Sequence, residues 1–283
     1  MNGTIIQFNC PDSKGLVARI TGCVAEHGGN LVEVSQYTDT MSRWFFSRLA
    51  IEGGAPEWDE KTFRKNFAVL AESCAAQWDM RSAQHRVPTL LMVSKQDHCL
   101  VDLLWRCRSG EMPIDIRGVV SNHDVCRNLV EREGLEFHHF DFAANKEEAF
   151  RRVAELCKRL NIELVVLARF MQILPSWMCQ KFVGKVINIH HSFLPAFVGA
   201  DPYRRAFERG VKLIGATCHY ATEDLDQGPI IDQQVIPVEH YHDPEDLSRL
   251  GRDCERLALA RGVRYHAEGR VLVHGTRAIV FRD

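Results

Sequence analysis

SAQHRVPTLLMVS, residues 82 to 94, is where the pattern of the chain changes. Polar SAQHR reads as a linker, and from Pro88 onward short strands rich in apolar, β-branched or aromatic residues alternate with helical stretches. PTLLMVS is followed by IDIRGVVSN, LEFHHF, ELVVLA and KVINI, with polar-faced helices such as 97 to 109 and 145 to 160 between them. Strands apolar on both faces and joined by helical crossovers predict a doubly wound, mostly parallel, Rossmann-like α/β sheet. Farther on, KLIGATCHYA and PIIDQQVIPV flank the turn-rich TEDLDQG and predict an antiparallel extension of that sheet. A long helix, roughly 243 to 262, and a terminal hairpin (RVLVHG, RAIVF) complete the domain.

Upstream of the linker the periodicity is of another kind. TIIQFNC is a strand, and Leu16, Val17, Ile20, Val24 and His27 then mark one face of a helix. Asp12 stands before this helix as an N-cap, and EHGGN supplies glycine for its C-terminal cap. LVEVSQYT and RWFFSRLAI read as strands about the turn DTMS. Phe63, Phe67, Leu70, Ala71 and Cys74 write a second helix, and the segment near DMRSAQ closes the unit as a fourth strand. The order βαββαβ is the ferredoxin-like arrangement. Two domains are therefore expected, 1–83 and 84–283.

Composition narrows the partners. Over 283 residues, 35 Lys and Arg nearly balance 37 Asp and Glu, so the net charge of −2 leaves no footprint for nucleic acid or an anionic membrane. A small-molecule partner is the expectation. The 10 cysteines are scattered with no C-x-x-C and no zinc-ligand spacing, which predicts free thiols, no metal and a reducing, cytoplasmic setting. Nowhere do eighteen apolar residues run together.

In an open α/β sheet, ligands bind beyond the carboxyl ends of the strands. KVINIHHSFLPAF places Asn188 and His190 two apart at such an end, so both point to one side. An asparagine amide can donate to a developing oxyanion, and an imidazole can exchange a proton with a leaving group or water. The residues alone leave a second reading open, in which Asn188 caps a turn and His190 is a satisfied buried histidine. The other constellation is GATCHYATEDLDQGPII. Glu223, Asp224 and Asp226 can be a solvated turn, but Gly228-Pro229 and an apolar strand follow at once, which can hold Asp226 beside His190.

NIHHSFLP, followed some thirty residues on by GATCHYATEDLDQGPII, resembles the signature of the 10-formyltetrahydrofolate-dependent formyltransferase and hydrolase superfamily. The resemblance implies catalytic roles for Asn188, His190 and Asp226. It extends to LARFMQILP, whose Met171, Gln172, Ile173 and Leu174 would grip the pterin; taken alone, MQIL reads equally as core packing after a strand. The acidic loop from Ala221 to Asp226, with Ala221, Thr222, Glu223 and Asp224 as its substrate-binding residues, would form the other wall of the folate pocket. VSKQDHCLVDLLWRCRSGEMPIDIRGVVSNH and SFLPAFVGADPY are similar to the hydrolytic branch, the formyltetrahydrofolate deformylase family. One departure stands in GADPY, where Asp201 replaces an expected asparagine. FNCPDSKGLVARI...AEHGGNLVEVSQY resembles the ACT domain, an amino-acid-sensing module with the βαββαβ order already read. The resemblance implies hydrolysis of 10-formyltetrahydrofolate to formate and tetrahydrofolate in one-carbon and purine supply, with folate as substrate and no further cofactor.

The same trio serves transfer to an amine and transfer to water, so the acceptor is read elsewhere. A phosphoribosyl acceptor needs a glycine-rich turn whose N–H groups surround the phosphate. After the first strand of this domain stands VSKQDHCL, without glycine, and no basic C-terminal module for a tRNA is present. Water remains. Lys95, Asp97 and His98 either occupy the former acceptor position or simply begin a solvated helix. A formyltransferase acting on a small amine and a catalytically silent folate or amino-acid sensor are the alternatives. Which of His190 and Asp226 is the base stays open.

The first domain carries no catalytic group, so regulation, assembly or both are expected of it. ACT-like sheets leave edges that a second copy can cover, which predicts a homo-oligomer, dimer or tetramer. An amino-acid effector would sit where the loop before the first helix meets a neighbour's strand, at Asp12, Gly15 and Asn30.

Overall fold

The computed structural model describes residues 3–53, 58–195 and 202–282. Two compact units divide it: Met1–His85 with Glu268–Leu272 and Ile279–Asp283, and Arg86–Ala267 with Val273–Ala278.

The first unit is β1 (Gly3–Pro11), α1 (Leu16–Glu26), β2 (Leu31–Asp39), β3 (Trp44–Glu52), α2 (Glu60–Ser73) and β4 (Gln77–Ser82). Its sheet has the order β2-β3-β1-β4 with antiparallel pairs throughout, the ferredoxin-like order the periodicity predicts. Alternation sets the core: Ile6, Phe8 and Cys10 of β1 face Leu16, Ile20 and Val24 of α1 and Phe63 and Phe67 of α2. Phe8 meets Phe67 edge-on at 5.8 Å, the geometry favoured by the ring quadrupoles. The expected cap at Asp12 is corrected. Gly15 stands at the N-cap with φ 81°, and no side chain caps the helix there; the three residues between Asp12 and α1 carry its carboxylate out of reach. Gly28, with φ 74°, follows the last turn as EHGGN predicts.

A single boundary after residue 83 is also corrected, because part of the terminal hairpin belongs to this first unit. The side chains of Gln7 and Arg48 point away from α1 and α2. There Gln7 Nε2 donates to the Val271 carbonyl at 2.8 Å, and Arg48 donates to the Glu268 carbonyl at 3.2 and 3.3 Å. Glu33 lies 2.9 Å from Arg48 and 3.2 Å from Arg270. A buried arginine needs such partners, and residues remote in sequence supply them.

The second unit begins with β5 (Val87–Val93), α3 (His98–Arg108), β6 (Ile114–Ser121), α4 (Arg127–Arg132), β7 (Phe137–His139), α5 (Lys146–Arg159) and β8 (Leu164–Leu167). It continues with α6 (Ser176–Lys181), β9 (Val186–His190), α7 (Pro202–Arg209), β10 (Leu213–Tyr220), β11 (Ile230–Pro237) and α8 (Pro244–Ala267). β12 (Val271–His274) and β13 (Arg277–Val280) pair with each other. The seven-stranded sheet has the order β11-β10-β9-β8-β5-β6-β7. β5 to β9 pair in parallel, and β10 runs antiparallel to both β9 and β11. Every residue of β5 and β8 is buried, which explains their unbroken apolar runs. Leu90, Met92, Phe150, Val153, Val165 and Leu167 join one core. The chain moves outward from β5 through β6 to β7, then returns to β8 on the other side of β5. The crevice beyond the carboxyl ends of β5 and β8 is thus the topological switch point.

Candidate active site

β9 delivers the first two polar groups. Residues two apart on a strand share a face, so Asn188 and His190 both line one cavity of about 280 Å³. Antiparallel pairing sets His219 of β10 opposite Asn188. The Asn188 amide nitrogen lies 3.1 Å from His219 Nε2, and His219 Nδ1 lies 2.9 Å from the Tyr220 carbonyl. A carbonyl only accepts, so Nδ1 of His219 carries a hydrogen, and one amide hydrogen of Asn188 stays available for another acceptor.

The loop between β10 and β11 delivers the third. Gly228 lets it turn back closely: a Cβ there would collide with the Tyr220 carbonyl. Asp226 adopts φ 58°, a left-handed backbone that aspartate tolerates better than most residues. Its Oδ2 lies 3.1 Å from His190 Nδ1, and its Oδ1 3.6 Å from His219 Nε2. Burial would raise the Asp226 carboxyl, but against it, with the His190 hydrogen bond foremost, the group is held well below the usual carboxylate range. The carboxylate accepts from His190 Nδ1–H, which leaves His190 Nε2 as the free ring atom. That Nε2 is buried with no hydrogen-bond partner among the described residues.

Apolar walls flank this trio. Met171, Gln172, Ile173 and Leu174, following β8, line the cavity on one side, and Ala221, Thr222, Glu223 and Leu225 on the other. Met171 and Ile173 stay 58% and 57% exposed, unusual for core packing but natural for a surface awaiting a ligand. Asp224 differs from expectation: it is exposed and does not line the cavity, and Leu225 takes that place. Glu223 is held by Gln180 of α6 at 3.0 Å. Asp201 and residues 196 to 200 of SFLPAFVGADPY lie outside the described residues.

A second polar cluster stands at the switch point. Arg169, which also lines the cavity, has φ 64°. Its Nε lies 3.3 Å from Glu255 Oε2 and donates to Gln96 Oε1 at 2.9 Å. His98 Nε2 lies 2.7 Å from Glu255 Oε2, and the Tyr203 hydroxyl donates to Oε1 at 2.6 Å. Burial works to raise the Glu255 carboxyl, yet the His98 hydrogen bond and the Arg169 charge bring it below its ordinary value. Of Lys95, Asp97 and His98, only His98 is drawn into this cluster; Lys95 is exposed and Asp97 precedes α3 without a side-chain capping bond. Ligand atoms of His98, Cys99 and Glu255 come within 4.8 Å of one another. The carboxylate is already shared among three hydrogen-bonding or cationic partners, and burial pushes the Cys99 thiol well up, so this is an ion-pair cluster rather than a thiolate ligand set.

Comparison with known proteins agrees with the geometry. The Formyl transferase family matches residues 88–263. A formyltetrahydrofolate deformylase from Corynebacterium sp. (strain P-1) is 43% identical over 279 residues, covering 98% of each chain. The chain belongs to the formyltetrahydrofolate deformylase family. The crystal structure of the deformylase from Pseudomonas syringae pv. tomato superposes with a TM-score of 0.97 at 44% identity, over 100% of this chain and 95% of that one. Glycinamide ribonucleotide transformylase 1 from Symbiobacterium toebii shares the fold more distantly, with a TM-score of 0.67 and 32% identity over 70% of this chain and 95% of its own.

Three further residues that line the cavity of this deformylase-family site, Arg169, His191 and His219, are not marked out by the sequence. His219 sits inside the quoted GATCHYA, and only its strand partner Asn188 reveals its use. His191 follows β9 directly and Arg169 follows β8 after Ala168, a position that marks strand-end residues generally but not these two in particular.

Among Asp12, Gly15 and Asn30, the structure separates the last from the first two. Pro11 pairs with Trp44 at one end of β1, whereas Gly3 pairs with Glu52 at the other, and Glu52 bonds the Asn30 side chain at 2.7 Å. Asp12 and Gly15 therefore stand across the sheet from Asn30, on the order of 25 Å away at the rise of a strand. No effector pocket of one chain joins all three.

Proposed function

We propose that this chain hydrolyses 10-formyltetrahydrofolate, releasing formate and tetrahydrofolate. The observation that carries it is the trio itself: an asparagine amide, a buried imidazole with a free Nε2, and a carboxylate held ionised, grouped at one end of a cavity with apolar walls suited to a pterin. Water adds to the formyl carbon, the C–N10 bond breaks, and N10 takes a proton. Asn188 steadies the oxyanion with its spare amide hydrogen. Asp226 orients His190 through Nδ1, so that Nε2 is the atom that exchanges a proton with the formyl group or the leaving nitrogen. Met171 to Leu174, with Ala221, Thr222, Glu223 and Leu225, hold the pterin. No cofactor is required by these steps.

The test is formate release from 10-formyltetrahydrofolate with no acceptor present. Equal formate and tetrahydrofolate support the reading. Transfer that appears only when an amine is added would replace it with a formyltransferase, and tight folate binding without turnover would leave a sensor.

The first unit, with its ACT-like order, serves assembly and an amino-acid response. Since Asn30 and the pair Asp12 and Gly15 occupy opposite ends of one sheet, an effector touching both bridges two copies of the chain. All ten cysteines are unpaired, which fits a reducing cytoplasm. Among the described residues no helix is long and apolar enough to cross a membrane.

A further inference from the structure

The hydrolytic reading leaves unexplained why a site able to activate a formyl group should give it to water alone. The switch point bears on this. In a doubly wound sheet the crevice beyond the carboxyl ends of the two central strands is where ligands enter, and here that crevice lies between the ends of β5 and β8. It is filled by protein. Gln96 and His98 come from the segment after β5, Arg169 from the residues after β8, and Glu255 from α8.

Arg169 is the part of this filling that reaches the cavity holding Asn188, His190 and Asp226. Its side chain is only 9% exposed, and that of Glu255 1%. A long cationic side chain is rarely so buried, and a non-glycine residue rarely adopts φ 64°. The surroundings hold it in place: Glu255 Oε2 at 3.3 Å and Gln96 Oε1 at 2.9 Å fix Nε. His98 and Tyr203 in turn fix the Glu255 carboxylate. Nη1 is buried with no hydrogen-bond partner among the described residues. A network of four side chains thus maintains one strained arginine at the edge of the reaction cavity.

We infer that Arg169, clamped by Glu255 and Gln96, occupies the space a second organic substrate would need and so restricts the attacking group to water. Resting on the hydrolytic reading, this makes Arg169 a specificity-determining residue rather than a catalytic one. Its bulk excludes an amine carried on a larger molecule, and its charge repels a protonated amine. With the crevice opened, a primary amine would attack the formyl carbon instead. The new C–N bond would form, the C–N10 bond would break, and the proton lost by the amine would end on N10, giving a formamide and tetrahydrofolate with no formate.

The experiment opens the crevice without stranding a buried charge. Arg169→Gly suits the left-handed backbone, and Glu255→Gln in the same protein removes the carboxylate that would otherwise lose its cation. Full-length wild type and the double variant are given 10-formyltetrahydrofolate with increasing glycinamide near pH 8, and formate, N-formylglycinamide and tetrahydrofolate are measured together. The wild type should release formate equal to tetrahydrofolate at every glycinamide concentration. In the variant the ratio of transfer to hydrolysis should rise about tenfold or more, the scale on which a pocket's filling discriminates. A variant that still delivers every formyl group to water overturns the inference. So does one that binds tetrahydrofolate and performs neither reaction, since Arg169 would then act on the chemistry itself. If the double variant does not fold, Arg169→Gly alone opens the same crevice while Glu255 keeps its bonds to His98 and Tyr203, and an unchanged ratio there is equally fatal. A wild-type protein that releases no formate sinks the hydrolytic reading beneath the inference, and the wild-type arm tells that failure apart.

Discussion

Asp226 reaches His190 from a left-handed backbone: its φ is 58°, and its Oδ2 lies 3.1 Å from His190 Nδ1. The pair is assembled by the turn of a loop, so the side chain and the backbone at position 226 are separable. Asparagine tolerates this conformation as aspartate does. Asp226→Asn should therefore keep the fold and folate binding while kcat falls on the order of a hundredfold. His190→Ala should do the same, because both groups act on the transition state more than on the pterin. Steady-state kinetics with a separate tetrahydrofolate titration checks this; turnover close to wild type in either variant would remove that residue from the chemistry.

Ile173 lines the cavity yet is 57% exposed. Ile173→Asp should leave thermal stability near wild type, since exposed positions usually change stability by about 0.5 kcal/mol or less. KM should rise by about tenfold or more, because a charge would be placed against an apolar ligand face. An unchanged KM in the folded variant would take the segment after β8 out of the folate pocket.

His191 lies beside His190, and burial followed by the Arg169 charge lowers its imidazole to about 4. The folded chain keeps this ring neutral at pH values where the unfolded chain, near its ordinary 6.5, binds a proton. Stability carried by His191 is thus complete above about 6.5 and declines as pH falls toward about 4. The depressed Asp226 carboxyl contributes in a lower window, below about 3.9, where the unfolded carboxylate protonates first. Denaturant midpoints measured from pH 7 to 4 should show a slope that His191→Asn reduces. An identical slope in that variant would mean the ring titrates alike in both states.

β2 is an edge of its sheet, and Val32 and Val34 on it are 56% and 44% exposed. If a second copy covers this edge, Val34→Lys should shift the assembly toward smaller species in sedimentation velocity, since a lysine blunts an edge strand. This substitution tests assembly better than deletion of the first eighty-five residues. Deletion would also strip the cover from Val271 and Leu272, buried within the first unit. A sedimentation coefficient equal to that of wild type would place the oligomer contact elsewhere.

Local pattern was enough for much of this molecule. The alternation around Phe8 and Leu49, the unbroken apolar runs of β5 and β8, and the spacing of Asn188 and His190 each express a preference of neighbouring residues for one backbone and one face. Those preferences are written along the chain and can be read there. They determined both sheets, the placing of Asn188 and His190 on one side of β9, and the candidacy of Asp226. What they could not determine is which distant groups meet. The approach of His219 to Asn188, the drawing of Glu255 from α8 onto Arg169 and His98, and the return of Glu268 to Val271 to the first sheet all join residues far apart in sequence. A buried charge takes whatever partner the packed layers bring within reach, and no periodicity in the sequence encodes that partner.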